Sequence, residues 1–420
     1  MIEEINIAVE KIDKQLKGFQ SASVDYVLNQ MYKKNRKKVL IADEVGLGKT
    51  IIAKGVIAKA IQAYKPEDRP FHVVYICSNQ VLAQQNISKL NPIGKVDRPL
   101  SRLVYLAYKD NTKEDAILKL SSLTPSTSFK LTNSVGTKEE RSMLYSFLIQ
   151  DDELELEKAS LYQLMQTKII GDESWASLSN DRINRFDELF RPEIAGLFLE
   201  RLKTLPFSKS RFRKSSEYLG KDSTTVFEVI KDLVTGLNQD ADVNPMDFSY
   251  EIIRALRNEL THVCLEYLDA DLFILDEFQR FKNLLDGDDN SEAGEIAKVV
   301  LRRDEARVLL LSATPFKPFT TQLEQLNGED HHDEFRKLIE FLGGSKGEEL
   351  WKDFRKDQEA FFEILRHPSE AIRNPELAIN KKENLERSFK KFLSRNERLS
   401  VAKQYHNMTR ELGKDSVDII

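Results

Sequence analysis

Apolar side chains at Ile5, Ile7, Val9, Ile12 and Leu16 recur at helical spacing along the first seventeen residues, and Gly18 punctuates the stretch. That spacing predicts an amphipathic helix, and a second short one follows over 21–32. The pattern then changes. A basic run, KKNRKK at 33–38, leads into the apolar segment VLIAD, the turn EVGLGKT and a helical stretch from Thr50 to about Tyr64. Dense apolar runs at 72–78 (HVVYICS) and 102–108 (RLVYLAY) predict two further strands. Short apolar runs without alternation suit a parallel sheet covered on both faces.

From 110 to 268 the strand signal fades. Pro125, Gly136, Gly171, Pro192, Pro206, Gly220 and Pro245 divide this stretch into helical segments. Strand character returns in DLFILDE at 271–277 and ARVLLLSATP at 306–315, each ending in polar residues. Residues 331–420 are again charged and helical. The expected organisation is an α/β fold with a parallel sheet flanked by helices and carrying a large helical insertion. Its divisions are 1–109, 110–268, 269–330 and a helical tail or linker over 331–420.

Composition narrows the class. The chain has 420 residues, 41% hydrophobic and 31% charged, which is globular rather than disordered. A formal net charge of -5 means that a polyanion would have to be met by a local patch. Cys77 and Cys264 stand alone in apolar stretches and read as reduced core residues, and the six histidines lack metal-ligand spacing. Together with the short apolar runs, this sets the expectation of a cytoplasmic protein without membrane insertion.

Candidate chemistry begins at DEVGLGKT, 43–50. A tight loop after a buried strand turns its N–H groups inward, and the following helix adds its positive dipole end, so phosphate is stabilised there. The backbone of Val45, Gly46, Leu47 and Gly48 would form the cradle, Lys49 would neutralise phosphate charge, and the Thr50 hydroxyl would ligate Mg²⁺. A solvent-facing lysine on a glycine turn is the bland alternative, and the coincidence of strand, GxGKT and helix argues against it. In LFILDEFQ, Asp276 at the strand end can hold the metal and Glu277 can accept a proton from an attacking water.

These motifs resemble, in chain order, the first RecA-like lobe of superfamily 2 helicases, and most closely its Swi2/Snf2-like translocase branch. ADEVGLGKT resembles motif I, SNQVLAQQ at 78–85 motif Ia, DEFQ at 276–279 the DEAD or DEAH box, and SATP at 312–315 motif III. The resemblance implies ATP and Mg²⁺ as cofactors, with Lys49, Asp276 and Glu277 catalytic and Thr50 and Asp276 on the metal. It also implies that Gln20, after Phe19, reads adenine, as an amide can in both donor and acceptor senses. A lone exposed glutamine is the alternative. Gln279, Ser312 and Thr314 would couple hydrolysis to lobe movement, although Ser and Thr also cap turns before a proline.

The implied partner is nucleic acid, double-stranded DNA on the translocase reading. Ser78, Asn79 and Gln80 would contact its backbone, TPSTSF at 124–129 is a candidate contact loop, and Arg211, Arg213 and Lys214 lie in a basic stretch over 201–221. That stretch, interleaved with Phe207, Phe212 and Tyr218, reads equally as a polyanion patch or as a solvated basic loop. The family places a second RecA-like lobe after this one, and the 105 residues beyond Pro315 are too few for it. The expectation is therefore an N-terminal motor lobe. Two alternatives stand beside a translocase: a strand-separating DNA or RNA helicase, and a nucleotide-gated module of a defence or repair complex that docks a protein through the helical insertion.

Overall fold

The computed structural model describes residues 2–65, 69–93, 102–109, 116–124, 136–167, 169, 172–208, 212–217, 224–239, 244–277, 306–313, 331–367, 372–373 and 375–396. The chain divides into two compact units. One comprises Met1–Pro99, Thr112–Ser126 and Ala270–Ile420, the other Leu100–Asn111 and Thr127–Asp269.

The first unit is a RecA-like α/β layer structure. Its six-stranded sheet has the order β3-β2-β4-β5-β1-β6, built from β1 (Lys38–Ile41), β2 (Phe71–Ile76), β3 (Leu118–Leu123), β4 (Leu272–Asp276), β5 (Val308–Leu311) and β6 (Leu393–Ser394). All adjacent strands are parallel. One face carries Val39, Ile41, Val73, Tyr75, Leu118, Leu120, Leu272, Ile274, Leu309 and Leu311. These pack into a core with α1 (Ile2–Gln15), α2 (Gly18–Leu28), α3 (Lys49–Tyr64) and α4 (Gln80–Leu90). The alternate positions, among them Leu40, Val74, Phe273 and Leu310, are buried too. Burial on both faces explains why the strands read as unbroken apolar runs.

Two expectations about the sheet are corrected. RLVYLAY is no strand: Leu103–Ala107 forms a 3₁₀ helix in the second unit, where Leu103, Val104, Leu106 and Ala107 are buried. The sheet takes Leu118–Leu123 instead, from within the stretch expected to be a helical insertion. Its polar residues find partners, with His72 Nε2 on β2 2.9 Å from the buried Ser121 Oγ. The segment after 331 also adds more than helices, because β6 pairs with β1 as an edge strand. An aromatic cluster of Phe335, Trp351, Phe354, Phe389 and Phe392 anchors β6, with Phe354–Phe389 ring centroids 4.9 Å apart.

The second unit is helical among its described residues, and its helices meet around a buried ion pair. Glu140 caps the start of the helix Lys138–Leu148, accepting from Thr137 N at 3.1 Å, and its carboxylate stands 3.0 Å from Arg257 and 2.6 Å from Arg102. Glu140 and Arg257 are 2% and 4% exposed, so each charge depends on the other. Gly136, at φ +78°, keeps this site open: a β carbon there would stand 2.6 Å from Glu140 Oε2. Elsewhere Arg141 donates to the carbonyls of Met165 and Thr167.

The chain's two tryptophans report separately, Trp175 from the second unit and Trp351 from the first. Glu140→Ala would remove the carboxylate that faces the buried Arg257 charge, at a cost of about 3–5 kcal/mol. Urea unfolding followed by Trp175 fluorescence in a Trp351→Phe background is expected to show that loss, while Trp351 followed in a Trp175→Phe background holds its midpoint. A Trp175 shift below about 1 kcal/mol would mean that the pair contributes no more than an exposed one.

Candidate functional site: a phosphate loop facing an acidic strand end

β1 ends at Ile41, and the chain turns through Ala42–Gly48 into α3. Gly46 and Gly48 hold φ of 84° and 85°, the left-handed region that glycine occupies without strain. At Gly48, which caps α3, a β carbon would also stand 2.6 Å from Gln20 Nε2. The sixteen-residue α3 thus begins at the loop, where its first N–H groups lack helical acceptors and its dipole favours an anion. The Lys49 ammonium folds back onto the loop, donating to the carbonyls of Asp43 at 2.7 Å and Glu44 at 3.2 Å. Burial lowers its pKa, while the charges of Asp43, Asp276 and Glu277 oppose that shift.

The loop is braced from two sides. Gln20 is 5% exposed; its Oε1 accepts from Lys17 N at 2.9 Å and its Nε2 donates to the Leu47 carbonyl at 2.9 Å. On the other side, Asp43 Oδ1 accepts from the backbone N and the Nδ2 of Asn396, at 2.8 and 2.9 Å. Asn396 Nδ2 also donates to Ser23 Oγ, and the Asn396 carbonyl accepts from Glu44 N at 3.1 Å. Asp43 is fully buried, and its Oδ2 is a buried oxygen without a hydrogen-bond partner among the described residues. Burial raises the Asp43 pKa, against the pull of Asn396 and Lys49.

The acidic pair arrives through register. Leu311 of β5 pairs with Ile41 on one side and with Asp276 on the other, so β1 and β4 end level, two strand spacings or about 9–10 Å apart. Asp276 Oδ1 accepts from Glu277 N at 3.0 Å. Glu277 sits at φ 51°, a left-handed conformation that is costly for a side chain of its size and that clusters at functional sites. Asp276 Oδ2 accepts from the Tyr75 hydroxyl at 2.5 Å, and Asn86 Nδ2 on α4 donates to that hydroxyl at 2.8 Å. Burial, followed by the Asp276 charge, pushes the Tyr75 hydroxyl well above the ordinary phenol range. Ser312 follows β5 between the two centres; it is fully buried, and its N–H donates to the Ile41 carbonyl at 3.0 Å.

These residues suit Mg²⁺ with a nucleoside triphosphate. The glycine cradle at the start of α3 admits backbone approach to phosphate, and the Lys49 ammonium already rests on oxygen acceptors that phosphate oxygens can replace. Thr50 and Asp276 offer hard oxygen donors. Among the described residues no cluster of three or more His, Cys, Asp or Glu could cage a metal. One or two protein oxygens completed by phosphates and water is how Mg²⁺ is usually held.

Sequence reasoning missed Asn396, Tyr75 and Asn86. Only a buried hydroxyl's need for a partner singles out Tyr75 in its apolar strand. Of the other expected residues, Gln279, Thr314 and Arg211 lie outside the described residues, as do 125–129, Tyr218 and the Gln80 side chain. Asn79 caps α4, its Oδ1 accepting from the N–H groups of Val81 and Leu82. In the second unit Arg213 and Lys214 are exposed, whereas Arg201 pairs with Glu259 and Glu266, and Lys203 with Asp151. Phe212 is fully buried, which removes it as a stacking surface for bases. No helix among the described residues is long and apolar enough to cross a membrane.

Residues 7–192 match the family model described as "Type III restriction enzyme, res subunit". No curated protein matches the chain. The match corrects the branch assignment, since it names the res subunit of type III restriction enzymes where a Swi2/Snf2-like translocase was expected. What the match supports is similarity to an ATP-binding, superfamily 2 helicase-like domain, with the segments 42–50 and 78–85 inside the matched residues and Asp276 and Glu277 beyond them.

Asn396→Ala removes the side-chain donor shared by Asp43 and Ser23. Hydrogen bonds to charged groups contribute about 1.5–3 kcal/mol, and the first unit is expected to lose that much stability by Trp351 fluorescence in a Trp175→Phe background. An unchanged midpoint would mean that Asn396 does not brace the loop.

Proposed function

We propose that the chain is an ATP-hydrolysing nucleic-acid motor lobe that couples hydrolysis to movement along double-stranded DNA. The observation carrying this proposal is the level ending of β1 and β4, which sets the Lys49 loop opposite Asp276 and the strained Glu277. DNA is favoured over RNA by the restriction-enzyme description of the matching family.

In this mechanism the loop N–H groups and the start of α3 bind the triphosphate, and Lys49 exchanges two neutral carbonyls for phosphate oxygens. The exchange places an anionic acceptor beside the ammonium in place of neutral ones, and the added Coulomb attraction favours the bound state. Thr50 and Asp276 would hold Mg²⁺, which would supply neutralisation of the charge developing on the phosphates. Glu277 orients the attacking water and accepts its proton. Gln20 keeps the loop in its binding shape through the Leu47 carbonyl, in addition to any contact with adenine. Nucleic acid is met at the N-terminal end of α4, near Ser78 and Asn79.

The two halves of the mechanism separate by mutation. Lys49→Ala is expected to abolish triphosphate binding in equilibrium titration. Glu277→Gln is expected to keep that affinity while lowering turnover by about 10²–10⁴-fold, the usual contribution of a positioned base. Hydrolysis is measured with and without duplex DNA, and duplex is expected to raise it. Full turnover in Glu277→Gln would remove the proposed base, and a rate indifferent to duplex and single strands would remove the motor.

A further inference from the structure

We propose that Tyr75 and Asn86 are positioning residues that hold the Asp276 carboxylate in the orientation in which it receives a divalent cation. This rests on the nucleotide-dependent function proposed above. Tyr75 pairs with Ile274 in the sheet, two residues before Asp276, so both side chains stand on the face covered by α4. The phenol is 1% exposed in a strand whose other members are mostly aliphatic. A buried hydroxyl of this kind requires a partner. Phenylalanine would fill the same space, so packing alone does not call for the oxygen.

The hydroxyl's two bonds run one way. Asn86 Nδ2 donates to it at 2.8 Å, and it donates onward to Asp276 Oδ2 at 2.5 Å. Asn86 Nδ2 also stands 3.5 Å from the same carboxylate oxygen. The second oxygen, Oδ1, is held by Glu277 N. With Tyr75 and the longer Asn86 contact on Oδ2 and Glu277 N on Oδ1, the carboxylate plane is fixed; a carboxylate has about four acceptor positions, so capacity remains on Oδ1 for a cation or its water. Groups that hydrogen-bond a metal-holding carboxylate typically change metal affinity or activity by about 10–100-fold when removed. Asn86 belongs to α4, so the carboxylate is tied to a helix outside its own strand.

The test uses the full 420-residue chain and a fluorescent, non-hydrolysable ATP analogue titrated once with Mg²⁺ and once with EDTA. The ratio of the two dissociation constants measures the metal's contribution apart from turnover. Tyr75→Phe is expected to cut that ratio by about tenfold, with the EDTA affinity within about twofold of the parent and the thermal midpoint retained. Asn86→Ala, which leaves the phenol in place, is expected to give a smaller loss in the same ratio. Tyr75→Phe with the parent ratio, or with a loss confined to the EDTA affinity, would overturn the positioning role while leaving the nucleotide function intact. A parent chain without any Mg²⁺-dependent tightening would overturn the nucleotide function, and the positioning role with it.

Discussion

The site depends on β5 lying between β1 and β4 in a fixed parallel register. Leu311 is the common partner of Ile41 and Asp276, so a single residue sets the level at which the phosphate loop and the acidic pair leave the sheet. A one-residue slip would turn every side chain of the slipped strand to its opposite face. Here both faces are buried, and a slip of β4 would also move Asp276 away from Tyr75, as a slip of β5 would move Ser312 away from Ile41. Packing on both sides therefore fixes the chemistry as well as the fold.

Around that frame, the polar residues of the site are held by neighbouring protein groups. Lys49 rests on loop carbonyls, Asp43 on Asn396, Gln20 on Leu47, and Asp276 on Tyr75 and Glu277. Such an arrangement resembles the preorganised dipoles by which enzymes stabilise developing charge. Within it Glu277 is held at a costly left-handed φ, and Asp43 Oδ2 has no hydrogen-bond partner among the described residues.

What could be read from sequence was local. The segment EVGLGKT carries its own turn glycines, cation and helix start, and LFILDEFQ carries a buried strand with its acidic end. The strands at 72–78, 271–277 and 306–315 were legible because burial on both faces leaves an apolar run. β3 was not, because Lys119, Ser121 and Ser122 break its run and Ser121 is satisfied by a residue 49 positions away. RLVYLAY misled for the opposite reason: a short apolar run suits a buried 3₁₀ turn as well as a strand. Asn396 lies 353 positions from Asp43 and has no local signature. The branch assignment failed differently, since loop chemistry is shared across the helicase superfamily and does not mark one branch.

The central claim is that Lys49 and Asp276 face one Mg²⁺-triphosphate site. The most direct measurement is a crystal structure of the full chain with a non-hydrolysable ATP analogue and Mg²⁺. The predicted result has Lys49 Nζ released from the Asp43 and Glu44 carbonyls onto phosphate oxygens, with Mg²⁺ between Thr50 and Asp276. An analogue bound elsewhere, or Lys49 still on its carbonyls with the loop empty, would contradict it.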